Sequence, residues 1–235
     1  MKIIKIAIIL IFSVLTLSIN AAITIPMGIW QYSVYSDGEK IGSAITSVKT
    51  IKNQYHSINE ITVRSGSAAV NLKEVIIETS NLKPVKIISS KTIIKGEGIQ
   101  RNEVTIQFSN SGQVTISDGN EKQEITINDE FYIGSNYLSH LLRKNGFIEP
   151  LDSSVKIYDY SKDKNSLITM TQKFIKKELV TVNGKEMYLY HIVQTYGGLN
   201  DIHTFVDKNG TVYKTSVKAL NKNITLELQK FKPVK

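Results

Sequence analysis

The chain has 235 residues, no cysteine, and 29 Lys and Arg against 21 Asp and Glu, for a net charge of +8. Without cysteine it can form no disulfide, thiolate metal site or cysteine nucleophile, and no lipid can be attached through a cysteine. The basic residues are scattered, with no arginine cluster or aromatic–basic motif, so nucleic acid is not an expected partner; the charge suits a solvated surface and permits contact with an anionic membrane surface.

The first element is a leader. Lys2 and Lys5 precede an apolar run from Ile6 to Ile19, and the small residues Ala21 and Ala22 follow. That order of charged, apolar and small segments is a secretory signal peptide. It assigns residues 1–21 to the leader and 22–235 to one exported domain, periplasmic or secreted. An uncleaved anchor is the alternative, because Ile19 is not the small residue that cleavage favours. Against it, the apolar run is well short of the roughly 20 residues that span a bilayer. Loss of the two leader lysines takes the net charge from +8 to +6.

Beyond the leader, Ile, Val, Thr and Tyr dominate and helical periodicity is nearly absent, which is a β composition. Val104, Ile106 and Phe108 alternate with Thr105 and Gln107; Ile224, Leu226 and Leu228 alternate with Thr225 and Glu227. Such period-two segments have one buried and one wet face, as in antiparallel sheets. Turn signals such as Asp37-Gly38, Asn183-Gly184 and Asn209-Gly210 separate them, since Gly and Asn tolerate positive φ. About eleven strands are expected, at 28–36, 40–52, 54–65, 68–80, 84–95, 99–109, 112–118, 121–128, 153–160, 165–182 with 185–197, and 201–207 with 211–231. The last stretch is a terminal hairpin or three short strands. Strands this long favour a strongly curved sheet.

One helix interrupts the pattern. Ser135 is a good N-cap, Leu138, Leu141 and Leu142 form one apolar stripe, and Asn145-Gly146 ends the segment. The expected fold is therefore all-β with one main helix. A long curved antiparallel meander forms an unclosed barrel, and the helix packs on its open side.

No catalytic pattern emerges. The four histidines His56, His140, His191 and His203 form no compact ligand spacing. His191 and His203 fall on neighbouring strands, where they can meet. Two S-x-x-K matches, at Ser153 and Ser161, do not open a helix, and there is no G-x-S-x-G. The acidic clusters around Asp159 and Asp207 lack a full calcium-ligand set. No glycine-rich loop joins a strand to a helix, so a nucleotide has no support. Neither an enzyme, a cofactor nor a metal is expected.

Aromatic residues are the remaining lead. Trp30, Tyr32 and Val34 share one strand face, and Tyr188, Tyr190, Ile192 and Tyr196 share another. They are either ordinary core or the wall of an apolar cavity between sheet and helix. On the second reading the ligand-binding residues are Trp30, Tyr32, Leu138, Leu141, Leu142 and Tyr190.

Three stretches carry a family likeness. Trp30 to Gly42 (WQYSVYSDGEKIG) resembles the first hairpin of a group of exported bacterial β proteins of uncharacterised function. Tyr137 to Arg143 (YLSHLLR) resembles the short helix in the middle of that group. His203 to Val212 (HTFVDKNGTV) is similar to its closing hairpin, with Phe205 in a Trp position. The group is similar in architecture to the lipoprotein carriers of the bacterial envelope, half-barrels with helices over the open side. The resemblance implies a hydrophobic cavity and a lipid or lipid-like ligand, but transfers no catalytic residue. Two functions follow: a non-catalytic periplasmic protein binding an apolar ligand, or a structural or protein-interaction module of the envelope with a filled core.

Overall fold

The structure, a computed structural model, describes residues 27–119, 121–133, 152–160, 166–197, 200–208, 210–219 and 221–233. It contains fourteen strands: β1 (Gly28–Ser36), β2 (Glu39–Ile51), β3 (Gln54–Ser65), β4 (Ala68–Thr79), β5 (Pro84–Lys95), β6 (Gly98–Phe108), β7 (Gln113–Asp118), β8 (Glu121–Thr126), β9 (Asp152–Asp159), β10 (Ser166–Val182), β11 (Lys185–Tyr196), β12 (Ile202–Val206), β13 (Val212–Ala219) and β14 (Lys222–Pro233). All belong to one antiparallel sheet. It runs β8 to β1 in reverse chain order, then β14 back to β9. The first and last strands therefore pair at its middle, Gly28 opposite Pro233 and Ser36 opposite Ile224. The edges are β8 and β9.

Local chemistry explains the elements. In β3 the residues Ser57, Asn59, Ile61 and Val63 are buried while those between them are not, so one face is dry. Asp37 and Gly38, with φ of 50° and 85°, make the left-handed turn that matches the twist of the flanking strands. A meander reverses at every strand, so its turns alternate between two rims. The first rim carries the β1–β2, β3–β4, β5–β6, β7–β8 and β13–β14 turns. The second rim carries the β2–β3, β4–β5, β6–β7, β10–β11 and β12–β13 turns, together with Gly28 and Pro233.

The fold class expected from sequence needs correction. No helix occurs among the described residues, and the stretch 135–145, with Leu138, Leu141 and Leu142, lies outside them. The sheet is also wider than expected, fourteen strands rather than about eleven. Among the described residues, part of the concave side is covered by the sheet itself. Edge strand β9 lies between two apolar clusters, Ile157 entering one and Tyr158 the other. Ile157 joins Trp30, Tyr32, Ile61, Met170 and Ile192. Tyr158 packs with Ile76, Ile87 and Ile106 of β4–β6, and its ring meets Phe108 edge-on at 5.3 Å. Tyr132, in the chain leading from β8, bridges in parallel to Ile157. The meander thus curls until one edge is tucked against its own inner wall.

Candidate functional site

Trp30 and Tyr32 lie two apart on β1 and share the concave face; they are 1% and 2% exposed. The Trp30 indole stacks on Phe231, its cross-strand partner, at 4.9 Å. Tyr32 donates its hydroxyl to Val212 O at 3.3 Å. Burial also pushes the Tyr32 hydroxyl pKa far above its ordinary value. Tyr190 is half-buried and packs against the same cluster, 6.0 Å from the Phe174 ring. Three of the six residues expected to line a ligand site therefore border one apolar body, and the three leucines lie outside the described residues.

Sequence reasoning missed a polar row through this apolar wall. Trp30 faces Thr46, Thr46 faces Asn59 and Asn59 faces Glu74, so the row crosses four adjacent strands. Every member is buried, Glu74 the least so at 4% exposure. Thr46 Oγ1 donates to Asn59 Oδ1 at 3.0 Å. Asn59 Nδ2 donates to Glu74 Oε2 at 3.5 Å, a long bond. Burial raises the Glu74 pKa to about 7, and the Asn59 bond offsets only part of that. The sequence did hold a signal. Glu74 occupies the same phase of β4 as Val70, Leu72 and Ile76, a position where a carboxyl is costly.

Further buried polar atoms have no partner: Trp30 Nε1, Gln172 Oε1, Gln194 Oε1 and Thr204 Oγ1. Gln172 and Gln194 are cross-strand neighbours, and both turn their Nε2 toward Met170 Sδ, at 3.8 and 3.7 Å. Exchanging oxygen and nitrogen in either amide would only convert the unpartnered atom from acceptor to donor. Buried groups of this kind are usually satisfied. The concave face therefore retains hydrogen-bonding capacity that the chain does not use.

The convex face has a different polar cluster. His191 Nε2 and His203 Nδ1 lie 2.9 Å apart, so the two histidines do meet across β11 and β12. His191 Nδ1 is 2.8 Å from Glu178 Oε1, and Lys176 Nζ is 2.9 Å from Glu178 Oε2. Phe205 stacks on His191 at 4.6 Å. The Lys176 hydrogen bond is the main cause holding the Glu178 pKa below its ordinary value. Burial lowers that of His191, against the pull of Glu178. A solvent-open depression of about 450 Å³ adjoins the cluster, lined by His203, Asp201, Lys214, Ser216 and Lys218 among others. Among the described residues no group of three His, Asp or Glu side chains is arranged to hold a metal.

No protein-family model matches the chain, and no curated protein does. Solved structures do. A β-barrel-like protein with domain of unknown function DUF1849, from Brucella abortus, superposes with a TM-score of 0.62 at 11% identity, over 88% of this chain and 96% of its own. A "putative lipoprotein" from Parabacteroides distasonis matches at 13% identity over 92% and 99% of the two chains, with a TM-score of 0.33. A "putative exported protein" with a YmcC-like fold from Bacteroides fragilis matches at 8% identity over the same shares, with a TM-score of 0.35. The Brucella protein establishes the likeness that these identities can carry: this chain has the fold of a bacterial β-barrel-like protein of unknown function.

Proposed function

We propose that this chain is an exported, non-catalytic envelope protein whose concave face takes an apolar ligand, a lipid or lipid-like molecule with a polar group. The observation that carries this is the polar row inside the apolar wall, from the unpartnered Trp30 indole N–H to the raised carboxyl of Glu74. Apolar surface with a few convergent polar groups is what orients a small ligand. The leader expected at residues 1–21 supports an extracytoplasmic location, and the ligand class is the one implied by the sequence resemblance to a group built like the envelope lipoprotein carriers. Trp30, Tyr32 and Tyr190 border the site.

The second reading is an envelope structural or interaction module with a filled core. The near-complete burial of Trp30 and Tyr32 favours it. Trp30 is the single tryptophan of the chain, so its emission reports on the concave face directly. The test is titration of the purified protein with a long-chain fatty acid and a long-chain alcohol, paired with native mass spectrometry. A saturable change in Trp30 emission together with a mass adduct supports ligand binding. Unchanged emission and no adduct with either compound leaves the filled module.

A further inference from the structure

The β10–β11 hairpin outruns its neighbour. β11 pairs with β12 only from Tyr190 to Gln194, whereas β10 and β11 pair with each other out to Val182 and Lys185. Residues 176–189 thus form an arm at the second rim. Its reverse side is fastened to the outside of the sheet. Asn183 N donates to Glu227 Oε2 at 3.3 Å, Asn183 Nδ2 to Leu228 O at 2.5 Å, and Lys214 Nζ to Thr181 O at 3.3 Å. Val182 and Leu189 are consequently 3% and 1% exposed.

The front of the arm is bare. Leu179 and Tyr188 are cross-strand partners, as are Lys177 and Tyr190. Leu179 is 50% and Tyr188 67% exposed. Lys177 Nζ stands 5.5 Å from the centre of the Tyr190 ring. Tyrosine and lysine around an exposed leucine form a surface with apolar bodies and polar tips, the composition that sits well at a lipid headgroup layer.

Charge separates this end of the sheet from the other. Among the described residues the second rim carries Lys52, Lys83, Lys185, Lys208, Lys230 and Lys232, against Glu186, Asp207, Glu130 and Asp129, the last of these paired with Lys156. Of the arm's two acids, Glu178 is already paired with Lys176, and Glu186 stands next to Lys185 at the tip. At the first rim, Asp37, Glu39, Glu97, Asp118 and Glu121 are interleaved with the basic residues. That rim has its own exposed apolar pair, Ile94 and Ile99 on the β5–β6 hairpin, 41% and 60% exposed. Apolar exposure therefore occurs at both rims, and a net basic setting at the second.

We propose that the β10–β11 arm docks on an anionic lipid bilayer surface, with Leu179 and Tyr188 entering the headgroup layer and the lysines of arm and rim meeting the lipid phosphates. The docking does not depend on whether the concave face takes a ligand. Its partner is anionic lipid because apolar burial and positive charge act together at such a surface.

The test is flotation of the purified protein with phosphatidylcholine vesicles, with and without phosphatidylglycerol. Binding is expected to require phosphatidylglycerol and to weaken with salt. Leu179→Ser combined with Tyr188→Ser lowers partitioning roughly tenfold, and Lys177→Glu with Lys185→Glu also weakens it. Ile94→Ser with Ile99→Ser leaves it unchanged. Thermal melts accompany each variant; should the double arm variant melt early, Tyr188→Ser alone takes its place, with a smaller loss expected. Absence of vesicle binding, indifference to lipid charge, or equal loss from both hairpin pairs overturns the proposal. So does sedimentation showing that the arm variants abolish only self-association.

Discussion

Two carboxyl groups show how differently the two faces of one sheet treat a charge. Glu74 on the concave side is pushed up to about 7 by burial, with a long bond from Asn59 as its opposing influence. Glu178 on the convex side is held below its ordinary value by Lys176 at 2.9 Å, and His191 approaches at 2.8 Å. The same residue type is thus held close to neutrality on one face and firmly ionised on the other. What differs is water. The concave side excludes it and returns a single long bond from Asn59, whereas the convex side leaves Glu178 partly exposed beside the Lys176 ammonium.

The strongest way to probe that contrast is to empty the concave side. Trp30→Ala removes the largest fully buried side chain and should cost about 3–5 kcal/mol by urea unfolding. Phe205→Ala, which removes the ring stacked on His191 at the convex face, should cost markedly less. Similar losses from both would mean that the faces are not distinct environments.

Proton linkage gives the next largest effect. Glu74 has a folded pKa near 7, above its unfolded 4.5. Its contribution is favourable below pH 4.5 and is lost as pH rises through about 7. His191 has a folded pKa below its unfolded 6.5, so its contribution is present above 6.5 and is lost as pH falls through the folded value. The two slopes oppose each other in mildly acid solution. Glu74→Gln should abolish the fall between pH 5 and 8, a difference on the order of 2–3 kcal/mol, and expose the rise due to His191. A pH profile unchanged by Glu74→Gln would show that this carboxyl is not desolvated.

Smaller still, Asn59→Ala should cost about 1–3 kcal/mol, because it leaves Glu74 without its amide donor and Thr46 without its acceptor. On the opposite face Glu178→Gln should change stability by no more than about 1 kcal/mol, since half-exposed ion pairs contribute little. If the convex change were the larger, the assignment of dry and wet faces would be reversed.

Strand positions were largely legible, because alternation and turn residues are local signals. β1, β3 and β5 begin and end where the sequence indicates. The terminal stretch resolves into three strands, β12 to β14, which was one of its two readings. Non-local features were harder. Thr46, Asn59 and Glu74 are unremarkable until register sets them side by side. Ile157 and Tyr158 are adjacent and both buried, which period-two reasoning cannot produce; only a strand covered on both faces does this. Tyr188 occupies an apolar phase yet stands exposed, because β12 pairs no further than Val206. Burial in each case is decided by a strand distant in sequence.

The pairing of β1 with β14 has a consequence for how the sheet is completed. Two runs of hairpins, β1 to β8 and β9 to β14, can each form from neighbours in sequence, a quick process. The seam between them joins Ser36 to Ile224 and cannot close until the last strand is present. A chain synthesised from its N-terminus would hold β1 as an open edge throughout. Such an edge invites pairing with other chains. Truncation before β14 should therefore produce a sticky sheet rather than a smaller soluble one. Conversely, Gly28 and Pro233 sit opposite each other, so a short linker across them would turn the slowest closure into a local hairpin.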